Sequence, residues 1–248
     1  MARIPAMNPS AVALVIPVLD EEKALPALVE VLRRLDPQPA EIVVVDGGSS
    51  DRSRDIVRAA GWTLVETAAG RGLQINAGVA AASAPLVCVL HADSVPPRDM
   101  VQVIRETLAD PAIALASFTP LIRGDRTRWG TTVHNWLKTW YAPLITRPHL
   151  FLRGVRLLFG DHGMFFRRAQ FLDIGGCTPG DAIMEEADLC VKFAALGKTR
   201  MVRRWIVTSD RRIAAWGPLK ANWIYFKVGI LWAVGARTRL ARHYPHVR

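Results

Sequence analysis

The 248-residue sequence predicts an α/β fold with a doubly wound, mostly parallel central sheet, and three observations carry that expectation. Four short apolar runs are each followed by residues with helical spacing, and repeated strand-then-helix units specify parallel pairing. The runs end abruptly in acids, glycines or proline, as buried strands do where they empty into a polar crevice. Half of the residues are hydrophobic, enough at this length to bury one substantial core.

The first unit is the run Ala11 to Pro17, then the acids Asp20, Glu21 and Glu22, then a helical pattern through Leu25, Leu28, Val29, Leu32 and Leu35. The second is Ile42 to Val45, with a helix from about Arg52. Its polar end, Asp46-Gly-Gly-Ser-Ser-Asp51, reads in two ways. A carboxylate at a strand crest can accept hydrogen bonds from a base or sugar, and the same residues can form a turn and a helix N-cap. Trp62 to Val65, with a helix from about Gly72, makes the third unit. Leu86 to Leu90, running into His91-Ala-Asp93, makes the fourth.

Beyond Pro111 the periodicity becomes irregular. The Arg- and Trp-rich stretch from Arg123 to Arg156 reads as an insertion lining a substrate site. It reads equally as a connection whose helix, Thr131 to Tyr141, packs through Val133, Trp136 and Leu137.

Charge is unevenly placed. Residues 200–248 hold 11 Lys and Arg against one acid, Asp210, while the remainder balances at 21 of each sign, so the net +10 resides in that final stretch. Such a block suits anionic lipid, nucleic acid or a phosphorylated substrate. Here it flanks the apolar segment Asn222 to Gly235, which Lys227 interrupts and which falls short of the roughly 20 apolar residues of a spanning helix. An interfacial helix carrying Trp223 and Trp232 is one reading, and a helix packed on the domain is the other. Cys88, Cys177 and Cys190 are odd in number and lack metal-ligand spacing, so they read as reduced thiols. Met1 to Ser10 has no hydrophobic stretch of signal-peptide length, and the expectation is a cytosolic protein.

Three acidic sites fall where the topology brings strand ends together: Asp46, Asp93, and the cluster Glu185, Glu186 and Asp188 at a helix start. An Asp at such an edge suits a hard divalent cation, whose oxygen ligands are commonly shared with substrate phosphates, and His91 stands two residues earlier. A capped strand end would look the same. Gly70 to Gly78 places Arg71 and Gln74 at a helix N-terminus, where amides and a guanidinium can meet a diphosphate, though Arg71 also reads as a solvated charge. Acids in a first helical turn are favoured by the dipole alone, and one facing a site can serve as a general base. The sequence has no phosphate-binding Gly-x-x-x-x-Gly-Lys-Ser/Thr and no dinucleotide Gly-x-Gly-x-x-Gly after the first strand. A nucleophile elbow with an ordered Ser-His-Asp set is absent too.

Taken in order, these residues resemble the family 2 inverting glycosyltransferases of the GT-A fold, over nearly the whole chain. Val15 to Glu22 looks like the family's opening motif, with Asp20 where Asn is more frequent. Val44 to Asp51 looks like its nucleotide-binding strand end. Leu90 to Asp93 is similar to its Asp-x-Asp metal motif, His91 replacing the first Asp. Met184 to Leu189 resembles the segment that carries the base, with Glu186 where Asp is typical. A closer likeness is to a bacterial subgroup described as arsenosugar-biosynthesis or radical-SAM/selenodomain-associated glycosyltransferases. It rests on Gly70 to Gly78, Leu90 to Asp93, Gly160 to Gly163, Thr208 to Arg212 and the ending Leu240 to Arg248. His162 departs there from an expected Gln, and Ile213 to Trp216 from a tryptophan directly after the arginines.

The resemblance implies a GT-A nucleotide-diphospho-sugar transferase domain over 1–210, with a nucleotide-binding half (1–110), an acceptor half (111–210) and a basic amphipathic extension (211–248). It implies transfer from a nucleotide-diphosphate sugar, UDP-linked, with inversion. Pro17, Leu19, Glu21, Val44, Asp46, Arg71, Gln74 and Ala92 would hold the donor, with Arg211 and Arg212 closing on its phosphates. Asp93, assisted by His91, would bind Mn2+ or Mg2+. Glu186 would be the base, with Glu185 and Asp188 as alternatives. The expected acceptor is a small metabolite or a lipid, with peripheral membrane contact through 218–242 and no role for nucleic acid. Two other readings account for less. A nucleotidyltransferase or sugar-phosphate pyrophosphorylase would open with a Gly- and Lys/Arg-rich loop, which Pro17 to Glu22 is not. A nonenzymatic basic membrane-docking protein would explain the charge but not the acids ending successive strands.

Overall fold

The structure is a computed structural model that describes residues 8–158, 162–178 and 183–236. Its strands are β1 (Val12–Val18), β2 (Glu41–Asp46), β3 (Thr63–Glu66), β4 (Leu86–Val89), β5 (Ile113–Arg123), β6 (Met164–Arg167) and β7 (Lys198–Ser209). Interleaved helices are α1 (Leu25–Leu32), α2 (Ser53–Ala59), α3 (Arg71–Ala81), α4 (Met100–Leu108) and α5 (Trp129–Thr146). They continue as α6 (Pro148–Leu152), α7 (Arg168–Asp173), α8 (Glu185–Phe193), α9 (Arg211–Trp216) and α10 (Pro218–Ala233). The strands form one sheet in the order β3-β2-β1-β4-β6-β5-β7.

β1, β2, β3 and β4 are the four anticipated strand runs, and they pair in parallel. Alternation explains the double winding. Along β1, Val12, Leu14, Ile16 and Val18 pack on one side of the sheet with Leu25, Leu28 and Leu32 of α1 and Met100 and Ile104 of α4. Ala13 and Val15 point to the other side and meet Ile75 and Val79 of α3. Both faces are covered, so the strands are apolar throughout. Gly78 lets α3 lie close, because a Cβ there would stand 2.4 Å from Val15 Cγ1 and 2.8 Å from Val45 Cγ2.

The second half departs from the early pattern. β6 runs antiparallel to both β4 and β5, and β5 pairs in parallel with β7 through two register irregularities. Pro120 lies inside β5, where it punctuates the sequence without ending the strand. α10 packs Ile224, Val228 and Trp232 into the same core as α3 and α8. Trp232 therefore does not stand at an interface: it is buried, and its Nε1 donates to Asp188 Oδ1 at 2.9 Å. Trp223 is 64% exposed. Burial pushes the Cys190 thiol up to about 12 and raises Cys88 and Cys177 as well, in keeping with three unpaired thiols.

α5 corrects the packing expected of it. Val133, Trp136 and Leu137 face outward, and the buried residues are Thr132, Asn135, Thr139 and Pro143. The inward face is polar because its partners are polar: Thr132 Oγ1 accepts from the Ile122 amide at 3.1 Å, and Asn135 Nδ2 lies 3.3 Å from His162 Nε2.

Candidate active site

The sheet reverses its winding at β1, which has β2 on one side and β4 on the other. The C-terminal ends of β1 and β4 part around a crevice, the place where open α/β sheets take ligands. A cavity of about 800 Å3 opens there. Pro17, Leu19 and Glu21 reach it from β1, and Arg71 and Gln74 from α3. His91, Ala92 and Asp93 follow β4 into it, Glu185 and Glu186 come from α8, and Arg211 from α9. Val44, Asp46 and Asp188 do not line this cavity. The Arg212 side chain lies outside the described part of the structure, as do Gly160, Asp161 and residues 237–248.

The loop after β1 is sewn to the loop after β2. Asp20, Glu21 and Glu22 amides donate to Ser49 Oγ, Ser53 Oγ and Asp51 Oδ2 at 2.9, 2.9 and 3.0 Å. Asp20 adopts a left-handed φ of 54°, and its Oδ1 in turn accepts from the Ser50 amide at 2.8 Å. Of the two readings of Gly-Gly-Ser-Ser-Asp51, the turn is met and the helix N-cap is not. Asp51 accepts from the Ser53 amide at 2.9 Å and turns the chain into α2, although the N-cap of that helix is Arg52, without a side-chain cap bond. Asp46 is buried, and its Oδ2 accepts from the Gly48 and Ser49 amides at 3.0 Å. Its Oδ1 is buried with no hydrogen-bond partner among the described residues.

Gln74 serves the framework. Its Nε2 donates to the carbonyls of Val18 and Val45, both at 2.8 Å, and so locks the ends of β1 and β2 together. Arg71 is no freely solvated charge. Its Nη1 donates to Glu186 Oε1 at 3.1 Å and its Nε stands 3.5 Å from Glu185 Oε1, across 115 residues of chain. Both glutamates are buried, and the residue before them, Met184, holds a left-handed φ of 72° that is strained for a long side chain. That bend aims the first turn of α8 into the cavity. Asp188, one turn on, is committed to the Trp232 indole.

On the opposite wall Arg211 bridges two loops. It donates to Glu21 at 3.0 and 3.2 Å and to Asp93 Oδ2 at 2.9 Å. Burial of this guanidinium lowers its pKa, and the hydrogen bonds and charges of Glu21 and Asp93 outweigh that and raise it above the ordinary arginine value. No group of three or more His, Cys, Asp or Glu placed to hold a metal ion occurs among the described residues. The protein donors at the end of β4, Asp93 and His91, are a set that fits a hard cation completing its shell with phosphate and water oxygens rather than an all-protein cage.

The polar residues His134, Asn135, Lys138 and Tyr141 of α5, with Asn222 and Tyr225 of α10, line the far side of the cavity. The reading of Arg123 to Arg156 as a stretch lining a site covers those of α5 without naming any of them, and those of α10 were not anticipated. Their spacing on α5 is helical, but the competing apolar stripe drew the assignment of the inward face.

Fold and site together define an α/β protein of doubly wound sheet, with carboxylates and guanidinium groups meeting at one strand-end crevice. Residues 13–175 match the family model described as glycosyl transferase family 2, and the chain belongs to that family. An uncharacterized glycosyltransferase of Mycobacterium tuberculosis is 31% identical over 136 residues, covering 52% of this chain and 60% of the relative. The match thus spans less than two thirds of that relative's length. An undecaprenyl-phosphate 4-deoxy-4-formamido-L-arabinose transferase of Serratia proteamaculans is 36% identical over 107 residues, 38% of this chain and 32% of that one. Among solved structures, glucosyl-3-phosphoglycerate synthase from Mycobacterium tuberculosis, in complex with Mn2+, UDP and phosphoglyceric acid, superposes with a TM-score of 0.63 at 19% identity. That likeness covers 93% of this chain and 84% of the synthase, and it is one of GT-A-like fold.

Proposed function

We propose that this protein transfers a sugar from a nucleoside-diphosphate sugar, UDP-linked, to an acceptor hydroxyl or phosphate with inversion at the anomeric carbon. The observation that carries the reading is the convergence of Asp93, Arg211, Arg71 and the Glu185–Glu186 pair on one cavity at the switch point of the sheet. Family membership supports the reaction class, and the relatives solved with UDP and Mn2+ support the donor and the ion. The motifs at Gly70 to Gly78 and Leu90 to Asp93 also support the finer likeness to the arsenosugar-biosynthesis subgroup.

In this mechanism the nucleotide lies along Pro17, Leu19 and Glu21, with Asp46 and Val44 shaping the strand end beneath it. Mn2+ or Mg2+ held by Asp93 and His91 would offset diphosphate charge as the leaving group departs. Arg211 turns to the phosphates and adds cationic donors there, a role that the family likeness also assigns to Arg212. Glu186, fixed by Arg71, takes the acceptor proton while the acceptor oxygen bonds to the anomeric carbon and the bond to the diphosphate breaks, its electron pair leaving with the nucleotide. Glu185 and Asp188 flank the base, Asp188 holding α8 to α10.

Replacing Glu186 by Gln tests the assignment. Manganese-dependent UDP binding is expected to persist in calorimetry, while UDP release from UDP-sugars, to acceptor or to water, falls by about 10²- to 10⁴-fold. Unchanged turnover would remove Glu186 from the role.

A further inference from the structure

Two helices of this protein carry apolar residues where solvent should be. On α5 the inward face is Thr132, Asn135 and Thr139, while Val133, Trp136, Leu137, Trp140 and Leu144 are each more than two fifths exposed. α10 is apolar on both faces. One packs on the core, and the other presents Leu219, Trp223, Phe226 and Ile230, between 45% and 86% exposed. Contiguous exposed apolar surface of this kind marks an interaction site rather than ordinary scatter.

The two helices adjoin. His134 Nδ1 lies 3.2 Å from Asn222 Oδ1, and Lys138 Nζ lies 5.5 Å from the centre of the Tyr225 ring. Ile145, Phe226 and Ile230 carry the apolar surface into the wall of the 800 Å3 cavity. On α10 the outer surface and the site are therefore continuous, and on α5 Ile145 alone joins them.

Charge selects the occupant. From Arg126 to Leu158 the chain has six Lys and Arg and no acid, and from Arg211 to Ala236 it has four and no acid. Arg153, Lys220 and Lys227 are exposed. Arg128 and Arg211 are ion-paired within the chain, and a second copy laid face to face would bring the exposed Arg153, Lys220 and Lys227 against cations like themselves. An anionic bilayer surface answers both features, since tryptophans and aliphatic side chains enter the headgroup boundary while Lys and Arg meet lipid phosphates. Among the described residues no helix is long and apolar enough to cross a membrane, so the surface would lie on the bilayer.

We propose that the outward faces of α5 and α10 dock this protein on an anionic lipid layer, with the cavity mouth at headgroup depth. The acceptor is then an amphiphile whose polar head enters between α5 and α10 from the lipid side, an extension that rests on the transferase reading. Docking itself does not.

The test is co-sedimentation of the full chain with phosphatidylcholine vesicles and with vesicles of phosphatidylcholine and phosphatidylglycerol, beside UDP calorimetry with Mn2+. Binding is expected only with phosphatidylglycerol present and to weaken with salt. Combining Val133→Gln, Leu137→Gln, Leu144→Gln, Leu219→Gln and Trp223→Gln should weaken it more than about tenfold, with UDP binding retained as proof of folding. Should that variant misfold, Arg153→Glu with Lys220→Glu should abolish the lipid preference instead. Equal binding to both vesicle types, no binding, or unaltered binding by both variants overturns the proposal. So does a solution oligomer that the same substitutions dissolve, which would assign the face to a second copy. Vesicle binding without UDP binding would leave docking standing and remove the transferase reading.

Discussion

Asp51 ties two loops through one carboxylate, accepting from the Glu22 and Ser53 amides at 3.0 and 2.9 Å. Burial of the group raises its pKa, and the hydrogen bonds from Ser53 and Glu22 outweigh that and hold it below the ordinary aspartate value of 3.8. Because the folded value is the lower one, its stabilisation is fully present above the ordinary value and is lost as pH falls through the folded value. Asp51→Ala should therefore cost about 1 kcal/mol at neutral pH and clearly less in strong acid, below the folded value. Urea unfolding of both proteins at the two pH values measures it, and a pH-independent difference would mean that the bonds contribute nothing ionic. The neighbouring Asp46 was legible as the acid that ends an apolar run. Its partnerless Oδ1 was not, since only the fold decides which oxygen the Gly48 and Ser49 amides use.

At the level of elements, α3 holds the site together by how closely it lies on β1 and β2. A methyl group at Gly78 would overlap Val15 and Val45, whose side chains are wholly buried and cannot retreat. Gly78→Ala should gain helix propensity yet lose about 1–3 kcal/mol net from overpacking, read as a fall in denaturation midpoint. UDP binding should weaken with it, because the shift carries Arg71 and Gln74 outward. The first four strands could be read from the sequence because each is a short apolar run with an unambiguous stop. β5, β6 and β7 could not: Pro120 interrupts the first in sequence, the second has four residues, and the third mixes four Lys and Arg with apolar residues without regular alternation. α5 was legible as a helix in a stretch that could line a site, but not which of its faces turns inward, since burial of its polar stripe is decided by cavity partners far along the chain.

Across the whole molecule, Arg211 joins parts that sequence distance keeps apart: the loop after β1, the end of β4, and α9. The expectation that this arginine serves the phosphates meets a structure in which it rests on Glu21 and Asp93. The same guanidinium thus neutralises the carboxylate that a cation would need and lines the cavity proposed for the diphosphate. Donor binding on this view exchanges partners: phosphate draws Arg211 away, and Asp93 becomes available as the ion enters. Arg211→Gln separates the two effects. Mn2+ alone should bind the variant more tightly than it binds the wild type, because the competing cation is gone, whereas UDP with Mn2+ should bind about tenfold more weakly for want of a phosphate partner. Calorimetric titrations of Mn2+, and of UDP at saturating Mn2+, give both quantities. If both affinities fell together, Arg211 would be a structural strut between the loops, and the exchange of partners would be wrong.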